Sequence, residues 1–213
     1  MDAKEKWDQL TEANRERLLE KHRDCEVQWN WWDSVEEIFK EDMGAIGVYV
    51  EAMYFSGFWS QGDGACFNGH VNNWRNFLTA VKRPDLIEVV DEHGASFTWI
   101  SKSRYSHENT VVFETSGLWV DNPYDEEDDE VRHVMWNAVN GEGGPLYAAS
   151  DVFVEFLKDK MRDLYKQLEE EHEHLTSDET VTAYILEHEE EDIDELLDEQ
   201  REEQEGQGEH VMV

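Results

Sequence analysis

Hydrophobic and polar positions change their period along the chain. Up to Met43 apolar residues recur at helical spacing. Thr11 reads as an N-cap ahead of NRERLLEKHRD, in which Leu10, Leu18 and Leu19 face inward and charges of alternating sign face out. Asp33, with Glu36 three residues on, opens a second helix, DSVEEIFKEDM, with Val35, Ile38, Phe39 and Met43 on one stripe. Between them VQWNWWD crowds Trp29, Trp31 and Trp32 together, read as core packing beneath a loop.

Beyond Gly44 the period is two. VYVEAMYFSGFWS runs through GDG into ACFNGHV, the pattern of a β-hairpin with a glycine turn. NNWRNFLTAV reads as a short helix stopped by Pro84. SFTWISKSRYS and NTVVFETSGLWV, on either side of His107, Glu108 and Asn109, read as a second hairpin. The expected fold class is therefore α+β, an antiparallel four-stranded sheet of two hairpins covered by helices on one face. Asp121 to Pro145 reads as an irregular insertion. Helical spacing returns at Ser150, the cap of a long helix with Phe153, Phe156, Leu157, Met161, Leu164 and Leu168 on one side. Thr176 and Glu179 form a capping-box pattern for a helix through Val181, Tyr184 and Ile185. From Glu187 onward Ile193, Leu196 and Leu197 are the only apolar cluster on an acidic background. The pattern gives an α+β domain over 1–186 and an acidic tail over 187–213, helical or disordered.

Charge adds the second half of the picture. The 213 residues carry 52 acidic and 18 basic side chains, a formal charge of −34. The middle of the chain is nearly neutral, whereas residues 121–213 hold 31 acids against 6 bases. Such a chain repels nucleic acid and anionic membrane surfaces, which excludes direct binding to either. No stretch approaches the roughly 18–20 apolar residues of a membrane span. MDAKEKWDQL lacks the apolar core of a secretory signal, and two cysteines, Cys25 and Cys66, make no disulfide framework; the expected location is the cytoplasm. With 9 Trp, 7 Tyr and 9 Phe the chain folds despite its charge.

The segment Tyr54–Phe67, YFSGFWSQGDGACF, interleaves aromatics with Gly57, Gly62 and Gly64. Glycines so placed permit positive φ and a strand bulge that re-aims side chains. One reading is a ligand pocket in which Phe58 or Trp59 stacks on a planar group, with Tyr54, Gln61 and Asp63 beside it. The other is a tightly packed hairpin and nothing more. A phosphate loop is excluded, since the GK[ST] ending is missing. This motif, WWDSVEEIF before it and LYKQLEEEHEHLTSDETV after it together resemble a family of small phage and prophage proteins. Some members of that family carry the label "antitoxin of a toxin–antitoxin stability system". The resemblance runs from about Trp31 to Ile185 and implies a non-enzymatic, protein-binding role, without bringing functional residues. The run Asp125–Glu130 and the chain after Glu187 stand outside the shared pattern.

Catalysis finds little support in the spacing. Cys66 and His70, four residues apart on a strand, are separated by about 13 Å. His172 and His174, two apart on a helix, do not share a face. The acid run lacks the glycine-punctuated loop of a calcium site. No catalytic residue, metal or cofactor is expected. The acids themselves are the stronger signal: Glu187 to Glu205 holds 12 in 19 residues. As a helix that is about 2.4 Å per charge, against about 1.7 Å for duplex DNA. The expectation is a DNA-like negative surface made by Asp125, Glu126, Glu127, Asp128, Asp129, Glu130, Glu169, Glu170, Glu171, Glu173, Glu189, Glu190, Glu191, Asp192, Asp194 and Glu195. Its partner would be a basic host protein, whether a nuclease, a restriction or defence factor, a polymerase or a toxin. The alternative is a small-ligand or peptide-binding module on the hairpin, with the acids only solubilising.

Overall fold

The computed structural model describes residues 2–101, 105–114 and 143–209. The run Asp125–Glu130 lies outside the described residues. In chain order the elements are α1 (Ala3–Trp7), α2 (Glu12–His22), α3 (Asp33–Ala45), β1 (Val48–Phe55), β2 (Ala65–Val71), α4 (Trp74–Ala80), α5 (Ile87–His93), β3 (Thr98–Ser101), β4 (Val111–Glu114), α6 (Pro145–Ala148), α7 (Ser150–Leu175), α8 (Asp178–His188) and α9 (Glu190–Glu209). Single 3-10 turns stand at Pro84–Leu86 and Glu108–Thr110. The chain forms two compact units. A central unit spans 33–169, and a terminal unit joins 1–32 to 170–213.

The central unit is built on a four-stranded antiparallel sheet in the order β1-β2-β3-β4, the α+β arrangement expected from the two hairpins. Val48 and Val50 point inward while Tyr49 and Glu51 point out, and the register shifts by a bulge between Val50 and Ala52. The bulge therefore lies in β1 and not in the glycine segment, where it was expected. Gly69 faces Trp99 across β2 and β3, and a Cβ at this position would stand 2.2 Å from the Tyr49 carbonyl oxygen. Gly47 has φ +82°. Its carbonyl accepts from the amides of Asn72 and Asn73, which anchors the start of β1 to the entry of α4.

Against the inner face of the sheet lies a cluster of aromatic rings. Phe39 of α3 meets Phe67 of β2 edge-on at 5.3 Å, and Phe67 meets Trp99 at 5.7 Å. Phe153 of α7 closes the cluster on Phe77 and Phe97, at 5.3 and 5.7 Å. Val35, Phe39 and Met43 are the buried positions of α3, while Ile38, expected on that stripe, is 58% exposed. An i, i+4, i+8 row is narrower than the stripe read from the sequence, and Ile38 falls outside it.

The terminal unit packs α1, α2, α8 and α9 around Trp7, Leu10, Leu18, Val181, Ile185, Ile193, Leu196 and Leu197. Thr11 caps α2 as expected, its hydroxyl accepting from the Asn14 amide. Ser177, not Thr176, caps α8; Thr176 instead donates its hydroxyl to the His172 carbonyl at 2.8 Å. Residues 187–213 were expected to form an appendage outside a 1–186 domain. The compact units divide the chain elsewhere, and Ile193, Leu196 and Leu197 of α9 lie in the same core as Trp7, Leu10 and Leu18. Of the tryptophans expected in the core, Trp31 and Trp32 are half-buried and meet edge-on, whereas Trp29 is 86% exposed. No helix among the described residues is long and apolar enough to cross a membrane.

Candidate functional site

The carboxylates of α9 fall on two sides of its buried stripe. Beside the stripe, Glu190 and Asp194 both accept from the Lys6 ammonium at 2.7 Å. Asp192 accepts from Lys21 at 2.6 Å and lies 2.7 Å from His22 Nε2, and Glu199 accepts from Arg17 at 2.8 Å. Gln200 completes the seam, accepting from the Thr11 amide and donating to the Gln9 carbonyl. Its hydrogen bonds to Asp194 and Glu190 hold the pKa of the Lys6 ammonium above its ordinary value, and the bond to Asp192 does the same for Lys21. In return Lys21, and then His22, hold the Asp192 carboxyl below the usual range, against the opposing effect of partial burial.

On the opposite side Glu191, Glu195, Asp198, Glu202 and Glu205 are all exposed. Their spacing of four, three, four and three residues puts them in one row along the helix. At 1.5 Å per residue that row is about 21 Å long, or about 5 Å between neighbouring charges. Asp198 shares Arg201 at 2.9 Å. Of the sixteen carboxylates expected to meet a partner, Asp125 to Glu130 lie outside the described residues, and the other ten separate by position. Glu190, Asp192 and Asp194 are engaged by cations of their own unit; Glu191 is exposed, and Glu195, also exposed, borders a cleft with Lys21 and Asp192. Glu189 is half-buried at the α8–α9 junction, where the Tyr184 hydroxyl donates to it at 3.4 Å. On the last turns of α7 Glu170 and Glu173 are exposed and Glu169 and Glu171 half-buried.

The aromatic hairpin is held chiefly by its own side chains. Phe58 is 9% exposed and packs on Phe55 and Tyr165, with ring centroids 6.2 and 5.6 Å away. The Tyr165 hydroxyl donates to the Gly57 carbonyl. Asp63 closes the loop by accepting from the Ser60 amide at 2.6 Å and returning its own amide to the Ser60 carbonyl. Tyr54 accepts from the Asn68 side chain at 3.4 Å. Trp59, edge-on to Phe58 and 73% exposed, faces solvent together with the exposed Gln61 and Tyr54. Cys66 of β2 is buried, and burial pushes its thiol pKa up, which makes it a weak nucleophile.

Two features escaped the sequence reading. The first is an open groove of about 610 Å³ in the central unit, between the end of α4 and the start of α7. Its lining includes Val81, Val152 and Phe156, with Asp151, Glu155 and Asp159 rising one turn apart along α7 and Lys82 opposite. Arg162 engages both Glu155, at 2.8 Å, and Asp159. The second is a convergence of His22, Glu189 and Asp192, whose donor atoms all lie within 4.8 Å of one another. His22 stands well over a hundred positions from Glu189 and Asp192, so no local spacing announces the set.

Fold and surface together define an α+β protein with an acidic helical face in its terminal unit. Residues 31–178 match a domain of unknown function, DUF8835, and the chain belongs to that family. The matched residues contain the whole central unit, whereas α1, α2 and α9 lie outside them. No curated protein and no solved structure matches the chain.

Proposed function

We propose that this protein is a non-enzymatic binder of a basic protein, and that it works by presenting a row of carboxylates in place of a nucleic-acid backbone. The observation that carries the reading is the row Glu191, Glu195, Asp198, Glu202 and Glu205 on the outer side of α9. One DNA strand places a charge about every 3.4 Å along its axis, and the row places one about every 5 Å on a helix. The opposite side of α9 is anchored by Lys6, Lys21 and Arg17, so the row sits on a packed helix and not on a free tail. A preorganised row of this kind gives a partner's lysines and arginines fixed acceptors, and the excess negative charge speeds the encounter. The resemblance to phage and prophage proteins points to a host nucleic-acid-binding or defence factor as the target, or to a basic toxin in the antitoxin-like variant.

The test is capture of partners from host lysate at low and moderate salt, with duplex DNA as competitor. Retention that fades with salt, yields to DNA and disappears when the five row residues are changed to their amides supports the reading. Salt-indifferent retention that survives the amide changes refutes it. A second reading, a peptide-binding module, draws on the groove of Val81, Val152 and Phe156, whose apolar floor and acidic wall suit a segment with one apolar anchor beside lysine or arginine. Under that reading Val152→Asp, and not the α9 amide changes, abolishes retention.

A further inference from the structure

We propose that His22, Glu189 and Asp192 form a binding site for one divalent transition-metal ion of the zinc type. The inference stands apart from the partner reading, because it uses the side of α9 that faces its own unit. His22 comes from the last turn of α2, Glu189 from the junction of α8 and α9, and Asp192 from the first turn of α9. Their donor atoms already lie within 4.8 Å of one another, and His22 Nε2 is 2.7 Å from Asp192 Oδ2. Metal–ligand bonds of about 2.0–2.2 Å in a tetrahedral arrangement set neighbouring donors about 3.3 Å apart. Side-chain adjustments of an ångström or so therefore complete the set without moving a helix.

The donor set selects the ion. One imidazole with two carboxylates suits zinc, cobalt or manganese, whereas magnesium and calcium favour all-oxygen ligands. Two carboxylates neutralise a divalent charge, and three protein ligands leave one position for water. The carboxylates are already held by neighbours: Lys21 donates at 2.6 Å to Asp192 Oδ2, the oxygen that faces His22, and the Tyr184 hydroxyl donates to Glu189 Oε1 at 3.4 Å. Such outer partners hold ligands in place and tune them. A cleft of about 250 Å³ lined by Leu18, Lys21, Asp192, Glu195 and Leu196 gives access beside Asp192. Bound there, the ion would staple the end of α2 to the α8–α9 junction.

A strongly acidic chain attracts divalent ions diffusely, so the test must read inner-sphere binding. The probe is Co²⁺ added to the full chain and followed by visible absorption. The expected result is a four- or five-coordinate spectrum that saturates at one equivalent and persists in roughly 0.5 M salt, where diffuse binding is screened. Zn²⁺ should displace the cobalt. His22→Gln and Glu189→Gln should each weaken binding at least about tenfold, by analogy with losses of supporting ligands, while Glu191→Gln on the outer row leaves it unchanged. Circular dichroism checks that each variant folds. Should a variant unfold, paramagnetic broadening in the unmutated protein decides, since the His22 ring and Tyr184 signals should vanish first. Loose binding of many equivalents that salt removes overturns the proposal. So does a spectrum indifferent to both substitutions, or broadening centred elsewhere.

Discussion

At Gly69 a hydrogen stands where any other residue would place a carbon 2.2 Å from the Tyr49 carbonyl and 3.2 Å from the Trp99 ring. Neither neighbour can retreat, because one is backbone and the other a buried core ring. Gly69→Ala is expected to cost about 1–3 kcal/mol, the usual range for forced overpacking, read as a lower urea midpoint with unchanged slope. The hairpin allows a paired test. Phe58→Ala should cost about 3–5 kcal/mol as a buried aromatic truncation, and Trp59→Ala no more than about 1 kcal/mol, as an exposed position, both measured by chemical denaturation. Residues of this kind were half legible in the sequence. The clustering of Gly57, Gly62 and Gly64 marked the loop, but which aromatic turns inward depends on Tyr165, more than a hundred residues away.

The charge of α9 was visible in the sequence, yet its three apolar residues look sparse on an acidic background. What makes them a stripe is the complementary surface of Trp7, Leu10 and Leu18 from the opposite part of the chain. Thr11, by contrast, was legible because a cap acts within its own turn, and Asp33 because an acid in the first turn marks a helix start. Leu196→Ala should cost about 2–5 kcal/mol and strip hydrogen-exchange protection from α9 first. The ion pairs add a pH signature. Lys6 and Lys21 are raised above the ordinary lysine value of 10.5, so their contribution is complete below that value and disappears as pH climbs through the raised ones. Asp192 is lowered from 3.8, so its contribution is complete above that value and disappears as pH falls through the lowered one. Thermal melts of the terminal unit should therefore show a neutral plateau with two falling limbs, and Lys6→Met should flatten the alkaline limb.

Across the whole molecule, a charge of −34 on 213 residues opposes compaction. Added sodium chloride should raise the melting temperature up to roughly physiological ionic strength and beyond, as screening shortens the Debye length to about 8 Å or less; a flat or falling trend would show that the acids are already compensated within the fold. The α+β class was legible because strand alternation and helix spacing are local. The division into units was not, since it depends on which distant segments share a core. That division also fixes an order of events on the ribosome. The central unit is complete once residue 169 has emerged, whereas Trp7, Leu10 and Leu18 must wait for Ile193, Leu196 and Leu197 before their core can close. During translation the apolar faces of the first helices thus stay uncovered until α9 is made, the kind of transiently exposed surface that favours aggregation.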